Sequence, residues 1–224
     1  MNMIIDDAYT GVKTKYFEQA QTKTGVLSGV VKILNDFVKQ YDSAKKTMND
    51  AKVELKKTYV YNSAPFEQKN MEIFNTFNEA VAKIRDDHKA QIQDTIQQVK
   101  DKIANIIGSD LPEGAMNDVA IIKTFAGKLS DDEMKVFLNK YDKCYLVTKA
   151  LFGAMAEGQE DRLGVKFISA DDIISSIDDI EGTAMNMIRT YNGAVPYDFA
   201  VMLDGSDLQT VNDAFTSFVS AYED

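Results

Sequence analysis

The sequence predicts a mainly α protein: a long antiparallel helical hairpin of coiled-coil character, then a small acidic helical domain, with at most one short two-stranded β-ribbon. Three observations carry this reading. Apolar residues recur at three-four spacing from Leu27 to Ile107. One sharp break, Asn62-Ser63-Ala64-Pro65, interrupts them, and the charge balance changes near residue 109.

The first arm is a heptad pattern. Leu27, Leu34, Tyr41, Met48 and Leu55 fall seven apart, and Val30, Phe37, Ala44 and Ala51 fall three after the first four. This a/d spacing keeps one stripe turned toward a partner helix. Charged residues such as Lys32, Lys39, Lys46, Asp50, Lys56 and Lys57 lie off the stripe. Pro65 is tolerated only in a first turn, because its ring removes a donor and clashes with the preceding turn; Ser63 or Ala64 precedes it at the cap position.

The second arm carries Phe74, Phe77, Val81, Ile84, His88, Ile92, Ile96, Val99, Ile103 and Ile106. The additional four-residue step between His88 and Ile96 is a stutter, which locally unwinds a supercoil. Arms of this size are roughly 50–60 Å long at the helical rise. A short link makes them antiparallel neighbours. A two-helix hairpin buries one stripe per arm, so further helices or a second protein are expected to cover the rest.

Gly108 and Pro112 end the second arm. Residues 1–108 therefore hold the hairpin and a short N-terminal segment, in which Tyr16, Phe17 and Ala20 suggest a brief helix; residues 109–224 form the acidic helical domain. The expected order there begins with a short helix over 117–127, with Val119, Ile122 and Phe125 or Ala126 inward. A capping box at Ser130-Asp131-Asp132-Glu133 opens one helix running through Met134, Phe137, Tyr141, Cys144, Thr148, Leu151 and Met155. Ser169 caps a helix bearing Ile173, Ile174, Ile177 and Ile180, ended by Gly182, and Thr183 opens another through Met185, Ile188 and Tyr191. A second capping box at Ser206-Asp207-Leu208-Gln209 starts the last helix. The ribbon, if formed, pairs Val165–Ile168 with Phe199–Leu203.

The net charge of −10 is unevenly placed. Residues 1–108 hold 16 basic and 14 acidic residues, and residues 109–224 hold 9 and 21. From Asp171 onward there are 11 acids and one base, Arg189. Phosphate binding depends on Lys and Arg, so no nucleic-acid partner is expected. No apolar run approaches the roughly 18 residues that span a bilayer, so no membrane partner is expected either. The N-terminus lacks the basic start and apolar core of a secretory signal, which implies cytosolic synthesis.

No catalytic signature stands out, and the reading is of a non-enzyme without cofactor or metal. His88 is the single histidine; on the apolar stripe it reads as a packed side chain. Cys144, the single cysteine, reads as a small buried hydrophobe. The candidate interaction residues are Asp171, Asp172, Asp178, Asp179 and Glu181. They form an acidic ridge opposite the isoleucines, without the ligand spacing of a calcium loop. With the helix ending at Gly182, Asp178, Asp179 and Glu181 sit at a C-terminus, where negative charge is unfavourable by a few tenths to about 1 kcal/mol. A solvated face explains such a ridge; a basic protein partner explains it as well.

Arg85-Asp86-Asp87-His88-Lys89-Ala90-Gln91-Ile92, Leu129-Ser130-Asp131-Asp132-Glu133 and Lys140-Tyr141-Asp142-Lys143-Cys144-Tyr145-Leu146-Val147-Thr148-Lys149-Ala150-Leu151 form a set. It resembles segments of uncharacterised helical proteins encoded beside head genes of tailed bacteriophages and prophages of Gram-positive bacteria. The resemblance implies a virion or assembly component, made in the bacterial cytoplasm, that meets other virion proteins or itself. It supplies no catalytic residues. The acidic C-terminus departs from the basic capsid-binding helix of many scaffolding proteins. Ala8-Tyr9 through Lys15-Tyr16-Phe17, then Leu27-Ser28-Gly29, also resemble early helices in the targeting domains of LXG-type polymorphic toxins, which implies a secreted delivery module as the alternative.

Overall fold

The computed structural model of the chain describes residues 25–193 and 205–223. They are mainly α, with eight helices among the described residues and no strand. These are α1 Ser28–Thr58, α2 Ala64–Ile107, α3 Ala115–Thr124, α4 Asp131–Lys140, α5 Tyr145–Ala154, α6 Gln159–Leu163, α7 Ala170–Thr190 and α8 Gly205–Tyr222. The expected helix around Tyr16 and the Phe199–Leu203 half of the ribbon lie outside the described residues, and the last helix already starts at Gly205, ahead of the Ser206 expected to cap it. The Val165–Ile168 half carries no strand.

The chain groups into two compact units: Met1–Gln97 with Asp178–Gln209, and Gln98–Ile177 with Thr210–Asp224. This grouping divides the chain within α2, α7 and α8 rather than near residue 109, because long helices meet different neighbours along their length.

In the first unit, Leu27, Val30, Leu34, Phe37, Tyr41 and Leu55 of α1 are buried. So are Phe66, Val81, His88, Ile92 and Ile96 of α2. Each apolar member contributes about 1.5–3 kcal/mol by leaving water. Contacts between the two helices run in opposite chain order. A Cβ on Gly29 would lie 3.3 Å from Thr95 Cγ2. The rings of Phe37 and His88 are 5.6 Å apart and those of Tyr41 and Phe77 6.0 Å. Lys52 Nζ stands 5.8 Å over Phe74. A larger side chain at Gly29 would therefore press on the Thr95 methyl.

The link between α1 and α2 is built by its own residues. Asn62 takes a positive φ of 58°, which Asn tolerates better than most residues. Ser63 Oγ accepts from the Phe66 amide at 3.3 Å, and Pro65 occupies the first turn. At the other end α2 stops at Ile107, with the Gly108 amide donating to Ala104 O at 2.8 Å.

Two sequence expectations about α7 are corrected here. Gly182 does not end a helix and Thr183 does not open one: a single helix runs from Ala170 to Thr190. An interior Gly costs about 1 kcal/mol relative to Ala. Burial of Ala184, Met187, Ile188 and Tyr191 on the continuing stripe outweighs that. In the first unit, Tyr191 packs edge-on against Phe37 at 5.7 Å and Tyr41 at 5.0 Å.

In the second unit, α3 to α6 enclose Ala115, Ile122, Met134, Tyr141, Cys144, Val147, Leu151 and Ala154. The Ser130 capping box forms as expected: the Glu133 amide donates to Ser130 Oγ, and Glu133 accepts from the Ser130 amide at 2.8 Å. The single helix expected from Asp131 to Met155 is instead two, α4 and α5, separated at Tyr141–Cys144. The bend lets Tyr141, Cys144 and Thr148 all turn inward, and Thr148 Oγ1 donates to Tyr141 O at 3.0 Å. Phe125 and Ala126, one of them expected inward, are both exposed, Phe125 at 50%. Gly158 takes a positive φ of 71° immediately before α6.

Three carboxyls in this unit are held below their usual range. Asp118 is held there chiefly by the Lys140 ammonium and then by the Tyr141 hydroxyl. For Asp131 the first cause is the Arg162 guanidinium, which bonds both carboxylate oxygens at 3.1 Å. For Glu133 it is the Ser130 amide. Folded values below the unfolded ones mean that the unfolded chain takes up protons first as pH falls. Stability from these groups is therefore present above a pH of about 4 and lost below it. Thermal melts should show a steady midpoint from neutral pH down to about 5, then a fall that Asp118→Asn makes shallower.

Candidate functional site

The five acidic residues all lie on α7, and the division into units falls between Ile177 and Asp178, so they are described in two groups. The helix places them as the spacing requires: Ile173, Ile177 and Ile180 are buried. Asp171, Asp172, Asp178 and Asp179 are exposed, and Glu181 is half-buried.

In the second unit, Ser169 Oγ accepts from the Asp172 amide at 3.3 Å and opens the helix. The Asp171 carboxylate accepts from Lys149 Nζ at 2.7 Å. That bond is the first cause of the raised Lys149 pKa, followed by Tyr145, whose ring lies 5.9 Å beneath the ammonium. Both ends of the pair are largely exposed, so it contributes little stability in water. Asp172 lines a groove of about 420 Å³ with Lys166, Ile168, Ser176, Val211 and Ser217. The groove offers hydroxyls, one cation and carboxylates beside apolar side chains. That set suits hydrogen bonding to a peptide or small polar ligand.

In the first unit, Asp178, Asp179 and Glu181 lie in the middle of α7. The dipole argument that set them at a helix end therefore does not apply, since that effect is confined to the terminal turn. Asp178 and Glu181 already have interaction partners. The ridge is thus a partly engaged acidic face, with Asp171 bound inside its own unit.

The sequence did not reveal a cluster at the end of α7 in the first unit. Tyr191 Oη donates to Asp42 Oδ1 at 3.0 Å. Arg85 Nη2 donates to Tyr191 O at 2.9 Å, and Lys45 Nζ to Asn192 O at 3.1 Å. Two cations thus serve the carbonyls just past the end of a helix, where its dipole is negative. Burial, and then the neighbouring Asp42, drive the Tyr191 hydroxyl well above the usual tyrosine range. These groups are 106 to 149 positions apart in the chain, so no local pattern announces them.

His88 is 1% exposed, a packed side chain as its place on the stripe implies. Its Nδ1 lies 2.7 Å from Ile84 O and its Nε2 3.2 Å from Asp36 Oδ2. The arrangement ties α2 to α1.

Among the described residues, no group of three or more His, Cys, Asp or Glu is placed to hold a metal ion. Among them no helix is long and apolar enough to cross a membrane. No protein-family model, curated protein or solved structure matches the chain.

Proposed function

We propose that this chain is a non-enzymatic structural and interaction protein, a bacteriophage virion or assembly component whose α1 and α2 form a long, coiled-coil-like antiparallel hairpin. The observation that carries the reading is the reversed order of the α1–α2 contacts, from Gly29 with Thr95 to Lys52 with Phe74. Val53 of α1, Val60 and Tyr61 of the linking turn, and Met71 and Phe74 of α2 are exposed. Exposed apolar side chains gathered on one stretch mark a protein-binding surface. The phage assignment rests on the sequence resemblance together with this architecture. The acidic positions on α7 supply the charge for partner virion proteins with basic surfaces. In this reading the protein carries no cofactor, and it binds neither nucleic acid nor membrane.

Mass spectrometry of the large assembly with which the protein sediments tests the proposal. Head, portal or tail proteins in stoichiometric amounts support it. A chain that sediments alone and is absent from particles contradicts it. Small helical partners and an immunity protein in its place support the secreted delivery module.

A further inference from the structure

In the first unit, coverage of the α1–α2 seam changes along its length. Leu27, Val30, Leu34 and Phe37 are at most 1% exposed. The end of α7 reaches Tyr41, Asp42 and Lys45. At the following seam positions Ala44, Met48 and Ala51 are only half-buried, as are Ile73 and Phe77 opposite them, although Leu55 and Phe66 nearer the turn are buried. Phe74 and Met71 are 48% and 64% exposed. The linking turn presents Val60 at 80% and Tyr61 at 68% exposure, although it is held by its own hydrogen bonds, including Ser63 N–H to Val60 O at 3.1 Å.

Charge distinguishes the two arms here. Residues 46–58 hold four lysines against Asp50 and Glu54, a net of +2. Residues 64–80 hold Lys69 against Glu67, Glu72 and Glu79, a net of −2. A surface of this kind complements itself when a two-fold axis runs along the arms. That operation lays α1 of one copy on α2 of the other, antiparallel and opposite in charge, and sets the two turns side by side. It also seats Phe74 and Met71 against apolar side chains of the second copy.

We propose that residues 46–80 are a homodimerisation surface, two hairpins closing into a four-helix bundle around such a two-fold axis. The inference rests on the hairpin reading above and adds the occupant and the symmetry. A two-fold contact is self-complementary and closed, so it yields dimers rather than filaments. The face is about 25 Å long at the helical rise and two helices wide. That places it at or below the roughly 800 Å² per partner of a standard interface, so association in the micromolar range is expected rather than an obligate dimer.

Sedimentation of the full chain from about 1 to 200 µM brackets that range and reads it directly. The expected result is a monomer–dimer equilibrium weakened at least tenfold by Phe74→Glu, a change at a half-exposed position that spares the buried seam, and weakened by added salt. A monomer throughout, or a dimer indifferent to Phe74→Glu, overturns the proposal. A disulfide between Gly29→Cys and Thr95→Cys within one chain, in the Cys144→Ser background, separates the two readings. If it forms while the protein stays monomeric, the hairpin stands and the dimer surface fails. If it does not form, both fail.

Discussion

Tyr191→Ala is expected to destabilise the first unit by about 3–5 kcal/mol, the range for truncating a buried aromatic side chain. Tyr191 is 5% exposed and meets Phe37 and Tyr41 edge-on, an arrangement that adds to simple burial. Truncation also removes the donor to Asp42. The main-chain carbonyl that receives Arg85 remains, so part of the helix-end anchoring survives. Tyr191→Phe keeps the ring and loses the hydroxyl, and should cost about 1–2 kcal/mol, since Asp42 is half-exposed and water can replace the bond. It should also remove an alkaline sensitivity. The folded hydroxyl titrates above its unfolded value, so its contribution is complete below about pH 10 and lost as pH rises beyond it. Urea titrations of the three proteins at neutral and high pH measure all of this.

Tyr145→Ala should cost a similar 3–5 kcal/mol, this time in the second unit. Its ring lies within 5.6 Å, centroid to centroid, of Phe167, Phe218 and Tyr222. Its hydroxyl accepts from the Ala170 amide at 3.1 Å, in the first turn of α7. Tyr145→Phe leaves that buried amide without its acceptor, at about 1–3 kcal/mol. Hydrogen exchange distinguishes the two aromatic sites. Tyr145→Ala should deprotect amides of α5 first, and Tyr191→Ala those of α1 around Phe37 and Tyr41. Equal and global deprotection by both would argue against separate cores.

Much of this fold was legible because it follows from period alone. The stripe from Leu27 to Tyr41, the buried run from His88 through Ile106, the break at Pro65 and the Ser130 capping box each follow from residues within a few positions of one another. Illegible features arise where tertiary contacts override local signals. Nothing in Lys140-Tyr141-Asp142-Lys143 announces a break; no glycine or proline marks it, and only the inward turn of Tyr141 and Cys144 explains it. Gly182 gave a stop signal that the apolar stripe beyond it overrode. Phe74 and Phe125 fit inward positions by spacing yet stand half-exposed. For the acidic residues, exposure was readable from their place opposite the isoleucines. The Lys149 partner of Asp171 was not, because it comes from another helix.

The proposed architecture requires α2 to return along α1. Spin labels at Lys39 and Asp86, both exposed, test this directly by pulsed electron resonance on the full chain with Cys144→Ser. Adjacent helices predict a separation of roughly 20 Å, interaxial distance plus label arms. A continuous helix through Pro65 predicts about 70 Å at the helical rise, and a distribution centred there would contradict the account.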